Sequence, residues 1–410
     1  MTRTAFLTAG AAALALGGAA IAQGGGAGGG TAVYWMSADT MSGMGGMMGN
    51  GGKPSMGSVM GAMLGRGGGM GSGYAHQLRL QLGSSARPSG EPTAEHLPPA
   101  GLGAGPSLPL VSPRQAPAEP STTGFPPNME RPRGRILIYW GCGEHARPGQ
   151  PVILDFAAMA AGKIPPAFAN MAVRAEQPPS PARFPSYGEW PNERGRTSVP
   201  QSGSLLGEHV VHGNYSPEIR FTLGLGQDFL APVTLVSQAP APSGAVPVVW
   251  QPVPGARAWF ATAMGAAGNG DMVMWTSSET QTAPVMDYMP DGEIARLVSS
   301  RLLLPAAADR CTVPAEVARA GQGTMFTLTA FGGEANFSHP LRPARAAASW
   351  KPDWTVKLRI KSMYMGLLGM DMNAMMRGEG GDQSEQGQGE QPRKKKKRGL
   401  LDGIGGMIPH

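Results

Sequence analysis

Fourteen of the 26 methionines fall in two runs, eight between Met41 and Met70 and six between Met363 and Met376. A thioether is a soft, uncharged donor, so methionine runs in an exported chain suit Cu(I) or Ag(I). Met41, Met44, Met47, Met48, Met370 and Met372 are the candidate ligands. The competing reading is packing: methionine is flexible and apolar, and no histidine is interleaved within either run.

Cys142-Gly-Glu144-His145 places a thiol, a carboxylate and an imidazole within four residues. A tetrahedral metal site needs three or four ligands, and no second Cys-x-x-His or Cys-x-x-Cys supplies the remainder. A disulfide between Cys142 and Cys311, with His145 at the surface, is the expectation in an oxidising compartment. It would close a loop of about 170 residues, a length at which the chain-entropy model gives ~5 kcal/mol. Two buried, unpaired thiols are the alternative. His209 and His212 are three apart, which on a strand turns them to opposite faces, so they read as ordinary surface histidines.

Arg393, Lys394, Lys395, Lys396, Lys397 and Arg398 make six consecutive positive charges, part of a formal net charge of +6. Such a run is drawn to anionic surfaces, at ~1 kcal/mol per basic residue near a charged membrane. The alternative is a solvated tail, partly neutralised by Glu379, Asp382, Glu385 and Glu390 just upstream. No Gly-x-Ser-x-Gly, His-Glu-x-x-His, P-loop or dinucleotide glycine pattern occurs, which argues against an enzyme.

The compartment is set by the N-terminus. Arg3, the apolar stretch 5–20 and the small-x-small site Ala20-Ile21-Ala22 before Gln23 predict a cleavable export signal. Gln23 stands where a lipoprotein would need cysteine, and no later run reaches the ~18 to 20 apolar residues of a membrane-spanning helix. The expected location is periplasmic or extracellular, which leaves no nucleic acid for the basic run to meet.

Glycine (62) and proline (39) together make about a quarter of the 410 residues, the level of low-complexity chains. Charged residues are only 15%, so glycine and proline, not charge repulsion, keep the unstructured stretches loose. Residues 23–134 and 366–410 are therefore read as mostly disordered, although 31–38 has the composition of a strand. Met56, Val59, Met60, Met63 and Leu64 follow helical spacing, and 84–133 reads as a linker.

Between these flanks the pattern predicts a mainly β fold: two antiparallel sandwich-like lobes, 135–237 and 245–365, with one or two short helices. Strands are expected at 135–140, 151–156, 209–212, 219–225, 231–236, 325–331 and 354–360. A loop with Tyr187 and Trp190 as anchors is expected at 178–204. In the last strand Trp354, Val356, Leu358 and Ile360 alternate with Thr355, Lys357, Arg359 and Lys361, which predicts one buried and one basic, wet face. A helix over 291–303 would start from Asp291 as N-cap, and a weaker one from Thr312. The stretch 246–275 reads as three strands with turns at Pro-Val-Pro-Gly255 and Gly268-Asn-Gly-Asp271. Its Trp250-x-Pro-Val-Pro-Gly-Ala-x-x-Trp259 pattern resembles the B and C strands of fibronectin type III-like sandwiches. The resemblance covers some thirty residues and implies architecture without an activity.

The function expected from sequence is thus an exported, non-catalytic binding or structural protein meeting an envelope protein or an anionic surface. A periplasmic copper binder working through the methionine runs is the first alternative. A hydrolase of surface polymer is the second.

Overall fold

Short β-branched and aromatic runs, interrupted every few residues by proline or glycine, favour strands over helices at every length available here. The computed structural model describes residues 31–48, 73–113, 134–155, 176–195, 197–282, 287–343, 345–347 and 350–370, and it is mainly β. The strands in chain order are β1 (Ala32–Gly43), β2 (Tyr74–Ser84), β3 (Ala94–Leu97), β4 (Leu108–Leu110), β5 (Arg135–Trp140), β6 (Val152–Asp155), β7 (Ser186–Trp190) and β8 (Gly207–Gly213). They continue as β9 (Ile219–Leu223), β10 (Leu235–Ser237), β11 (Val246–Trp250), β12 (Ala258–Ala266), β13 (Met272–Thr276), β14 (Leu304–Pro305), β15 (Arg310–Val313), β16 (Gln322–His339) and β17 (Trp354–Leu367). Three α-helices accompany them among the described residues, α1 (Met44–Met48), α2 (Asp291–Ser299) and α3 (Ala315–Ala320).

The largest sheet runs β6-β5-β13-β12-β16-β17-β1-β2-β7, with β14 paired to β12. Two smaller sheets, β4-β3-β8-β9 and β10-β11-β15, complete the β structure. The large sheet crosses the division expected between 237 and 245, because β5, β6 and β7 lie in it beside β12, β13, β16 and β17. It also takes β1 and β2 from the stretch 23–134 that composition alone marks as mostly disordered. β1 lies parallel to β17, from Ala32 opposite Trp354 to Gly43 opposite Met365, more than 300 residues away. Residues 94–110, read as linker, carry β3 and β4; strands of four and three residues are too short for an alternating pattern to register. The segment 186–190, read as loop, is β7, and its expected anchors Tyr187 and Trp190 are both buried.

Alternation sorts the large sheet into two faces. One carries Tyr34, Met36, Ala38, Leu78, Leu80, Leu82, Trp259, Ala261, Trp275, Leu328, Val356 and Leu358, all buried in a single apolar cluster. Both small sheets contribute to that cluster, through Leu108, Val211 and Phe221 and through Val248, Trp250 and Val313. The rings of Trp250 and Trp259 meet at 5.4 Å between centroids. The three strands read at 246–275 are present and lie in two sheets: β11 pairs with β10 and β15, whereas β12 pairs with β13 and β16. Cys142, just past β5, is bonded to Cys311 on β15, so the disulfide links the large sheet to the three-stranded one.

One polar chain runs through this core. The buried Tyr34 hydroxyl lies 2.7 Å from His96 Nδ1, His96 Nε2 lies 3.0 Å from His209 Nδ1, and His209 Nε2 lies 2.6 Å from the Leu205 carbonyl oxygen. A carbonyl only accepts, so Nε2 of His209 carries its proton, and with both imidazoles neutral Nδ1 then accepts from His96 Nε2. His96 Nδ1 in turn accepts from Tyr34. Burial pushes both histidines below their ordinary pKa, His96 well below. His209 is thus fully buried and not the surface histidine expected, while His212 does point outward, 3.4 Å from Glu218.

The helices are capped away from the expected residues, α2 one residue before Asp291 and α3 two residues after Thr312. Pro290 and Pro314 occupy the N-cap positions of α2 and α3, with Asp291 and Glu316 in the first turns, where carboxylates favour the helix dipole. The helical spacing at 56–64 lies outside the described residues, as does the tail from 371.

Candidate functional site

The opposite face of the large sheet holds the polar chemistry. On β1 Trp35, Ser37 and Asp39 alternate outward from the core, and the registers set beside them Gln81, Arg79 and Gln77 of β2. On the other flank they meet Lys357, Arg359 and Lys361 of β17. The expected wet basic face is largely covered: Arg359 is 7% exposed, and the side chains of Lys357 and Lys361 are 13% and 12% exposed. The cover includes the short segment ahead of α2. Met289, Ile294 and Leu297 pack on Ala258, Phe260 and Phe331, which fixes the helix on the sheet and sets Tyr288 over the basic row.

Arg359 is held between two aromatic rings, its guanidinium carbon 4.5 Å from the Trp35 centroid and 4.2 Å from that of Tyr288. Ser37 Oγ accepts from its Nη2 at 2.8 Å and its Nε at 3.3 Å. Among the described residues no other side chain hydrogen-bonds this guanidinium, and no carboxylate forms an ion pair with it. Burial lowers the Arg359 pKa, partly countered by the fields of Tyr288, Asp287, Asp39 and Glu176.

Its neighbours are paired with one another. Lys361 Nζ lies 3.2 Å from Asp287 Oδ1, and Lys357 Nζ lies 2.6 Å from Glu176 and 2.9 Å from Glu334. Glu189 accepts from Arg79 at 3.0 Å and from the Tyr187 hydroxyl at 2.8 Å. Tyr288 donates its hydroxyl to Asp39. Burial raises the Asp39 pKa against the pull of Lys361 and Tyr288, and burial followed by the charge of Asp39 holds the Tyr288 phenol well above its ordinary value. Burial would also raise Asp287, but Lys361 and the Tyr288 backbone N–H outweigh it and leave that carboxyl lowered. Tyr187 is pushed up to about 12, by burial first.

Part of this set lines a cleft of about 790 Å³, within the range of small-molecule sites. Ser37, Asp39, Arg79, Tyr288, Arg359 and Lys361 line it together with the amides of Gln77, Gln81 and Asn192. The arrangement can hold an oxyanion at Arg359, the cleft cation that among the described residues has no carboxylate in an ion pair with it.

The residues singled out by sequence lie elsewhere. Met41 is half-buried opposite Met363, Met44 opens α1, and Met370 is exposed just past β17. The side chains of Met47 and Met48, all of Met372, and Arg393 to Arg398 lie outside the described residues. Cys142 and Cys311 are the disulfide already described. His145 is exposed and pairs through Nδ1 with Glu316 at 3.2 Å. Glu316 also accepts from the Ala146 backbone N–H at 2.8 Å, which is the first cause of its lowered pKa. Among the described residues no group of three or more His, Cys, Asp or Glu side chains could hold a metal ion. The cleft residues missed by sequence carry one readable signal, the two alternations Trp35-Ser37-Asp39 and Lys357-Arg359-Lys361; Tyr288 carries none.

Comparison with known proteins returns no match among family models, curated proteins or solved structures.

Proposed function

We propose that this is an exported, non-catalytic binding protein whose cleft takes a small polar ligand bearing a carboxylate or phosphate group, anchored on Arg359. One observation carries the reading: a guanidinium only 7% exposed, with five N–H donors, that among the described residues hydrogen-bonds a single serine hydroxyl and forms an ion pair with no carboxylate. Burying an unpaired cation costs several kcal/mol, and stacking on two rings offsets ~1 to 2 kcal/mol at each. An incoming oxyanion supplies the missing partner. Binding is favoured over catalysis because Asp39, Asp287 and Glu189 are each already engaged by a donor. Export is supported by the N-terminal signal pattern and by a disulfide compatible with an oxidising compartment. No helix of the described residues is long and apolar enough to cross a membrane. An envelope protein or anionic surface as partner of the basic run 393–398 belongs to the same proposal.

Calorimetric titration of the full chain with inorganic phosphate, citrate and galacturonate tests it and separates the phosphate from the carboxylate source. A charge-assisted contact contributes about 1.5 to 3 kcal/mol, so Arg359→Met should weaken the bound ligand roughly 10- to 150-fold, with Arg359→Lys between. Equal affinity in Arg359→Met, or no uptake of any of the three, would sink the reading.

A further inference from the structure

The second face of the large sheet also carries a row of methionines that neither run of the sequence includes. Met264 of β12 stands directly opposite Met274 of β13 on one side and Met325 of β16 on the other. Residues opposite one another share a face, with neighbouring Cβ atoms roughly 5 Å apart. The row continues to Ile138 of β5 beyond Met274 and to Leu367 of β17 beyond Met325, so apolar side chains close both ends. Thr262, Thr276 and Thr327 form the next row on that face, with Met365 beside Thr327. Neither row includes a charged residue. Met264 is 37% exposed, and Met274 and Met325 are partly so.

Sheets favour β-branched and aromatic residues at such positions, and the intervening threonines follow that rule. Three thioethers in direct register depart from it. Each methionine has three rotatable bonds beyond Cα, enough to bring the two outer sulfurs over the central residue. Three neutral soft donors suit a d¹⁰ monovalent ion and give poor ligation to Ca²⁺, Mg²⁺ or Zn²⁺, which prefer oxygen, nitrogen or thiolate. We propose that Met264, Met274 and Met325 form a binding site for a soft monovalent cation, Ag(I) or Cu(I), on the open face of β13-β12-β16. The site is separate from the Arg359 cleft, and neither reading depends on the other.

The test uses the full chain with its disulfide intact and Ag(I), which brings no redox chemistry of its own. Methionine ε-methyl NMR is followed through the titration, with assignments from single Met→Leu variants. Three methyl resonances, those of Met264, Met274 and Met325, should shift together and saturate at one equivalent. Met264→Leu, which changes the most exposed member and leaves the fold least disturbed, should weaken uptake at least tenfold, while Met41→Leu leaves it unchanged. Shifts confined to other methionines, or uptake undiminished in Met264→Leu, would overturn the proposal.

Discussion

Replacing Cys142 and Cys311 together by alanine should cost about 2 to 5 kcal/mol and lower the thermal midpoint by roughly 5 to 15 °C. The bond joins residues 169 apart in sequence and ties the end of β5 to β15, two strands that belong to different sheets. Backbone bonds remain on either side of it, from Gly143 to the Thr312 carbonyl at 2.9 Å and from Ala315 to the Glu144 carbonyl at 3.1 Å. The folded arrangement should therefore survive, and the loss should come mainly from the freedom regained by the unfolded chain. Urea unfolding followed by tryptophan fluorescence, in the variant and in reduced wild type, measures it. Coincident curves with and without the bond would show that the two sheets hold together unaided.

Acidification below pH 6.5 should remove stability through His96 and His209, over the wider range through His96. Burial lowers the folded-state pKa of both, whereas an unfolded histidine titrates near 6.5. Below pH 6.5 the unfolded chain takes up protons that the folded chain refuses, so stability is complete above that value and falls as the pH drops. The slope is ~1.4 kcal/mol per pH unit for each histidine until its folded pKa is reached. His76, also lowered by burial, adds in the same direction. Protonating His209 at Nδ1 would set it against the N–H of His96 Nε2, and protonating His96 at Nδ1 would take from the Tyr34 hydroxyl the group that accepts its proton. Urea midpoints across the range measure the loss, and a His96→Gln/His209→Gln variant should show a markedly shallower dependence. NMR supplies a readout that needs no variant: both rings should titrate below the ordinary histidine value, His96 well below it, and titration near 6.5 would contradict the account.

Much of this architecture was legible because a strand writes its two faces into alternating residues. Ile219, Phe221 and Leu223, or Trp354, Val356 and Leu358, are buried as their spacing requires. Cysteine count and export pattern together pointed to the one disulfide. Pairing was not legible, since alternation identifies which face of β1 is apolar and says nothing of β17 some 320 residues away. The glycine-rich surroundings left β1 legible only over 31–38 and hid β2 altogether, because composition averaged over a long window outweighs a dozen well-patterned residues. At the cleft, alternation correctly set Arg359 and the two lysines on the face away from the core. It could not reveal that Tyr288, delivered by the chain ahead of α2, would close over them and turn an expected wet surface into a buried charge.

Arginine side-chain NMR on the full chain addresses that buried charge most directly. The Nε–H resonance that disappears in Arg359→Lys should shift on addition of a carboxylate or phosphate ligand and saturate with it, while the other arginine signals stay in place. A resonance that never moves, or one already showing an ion pair with a carboxylate of the chain itself, would contradict an Arg359 held open for a ligand.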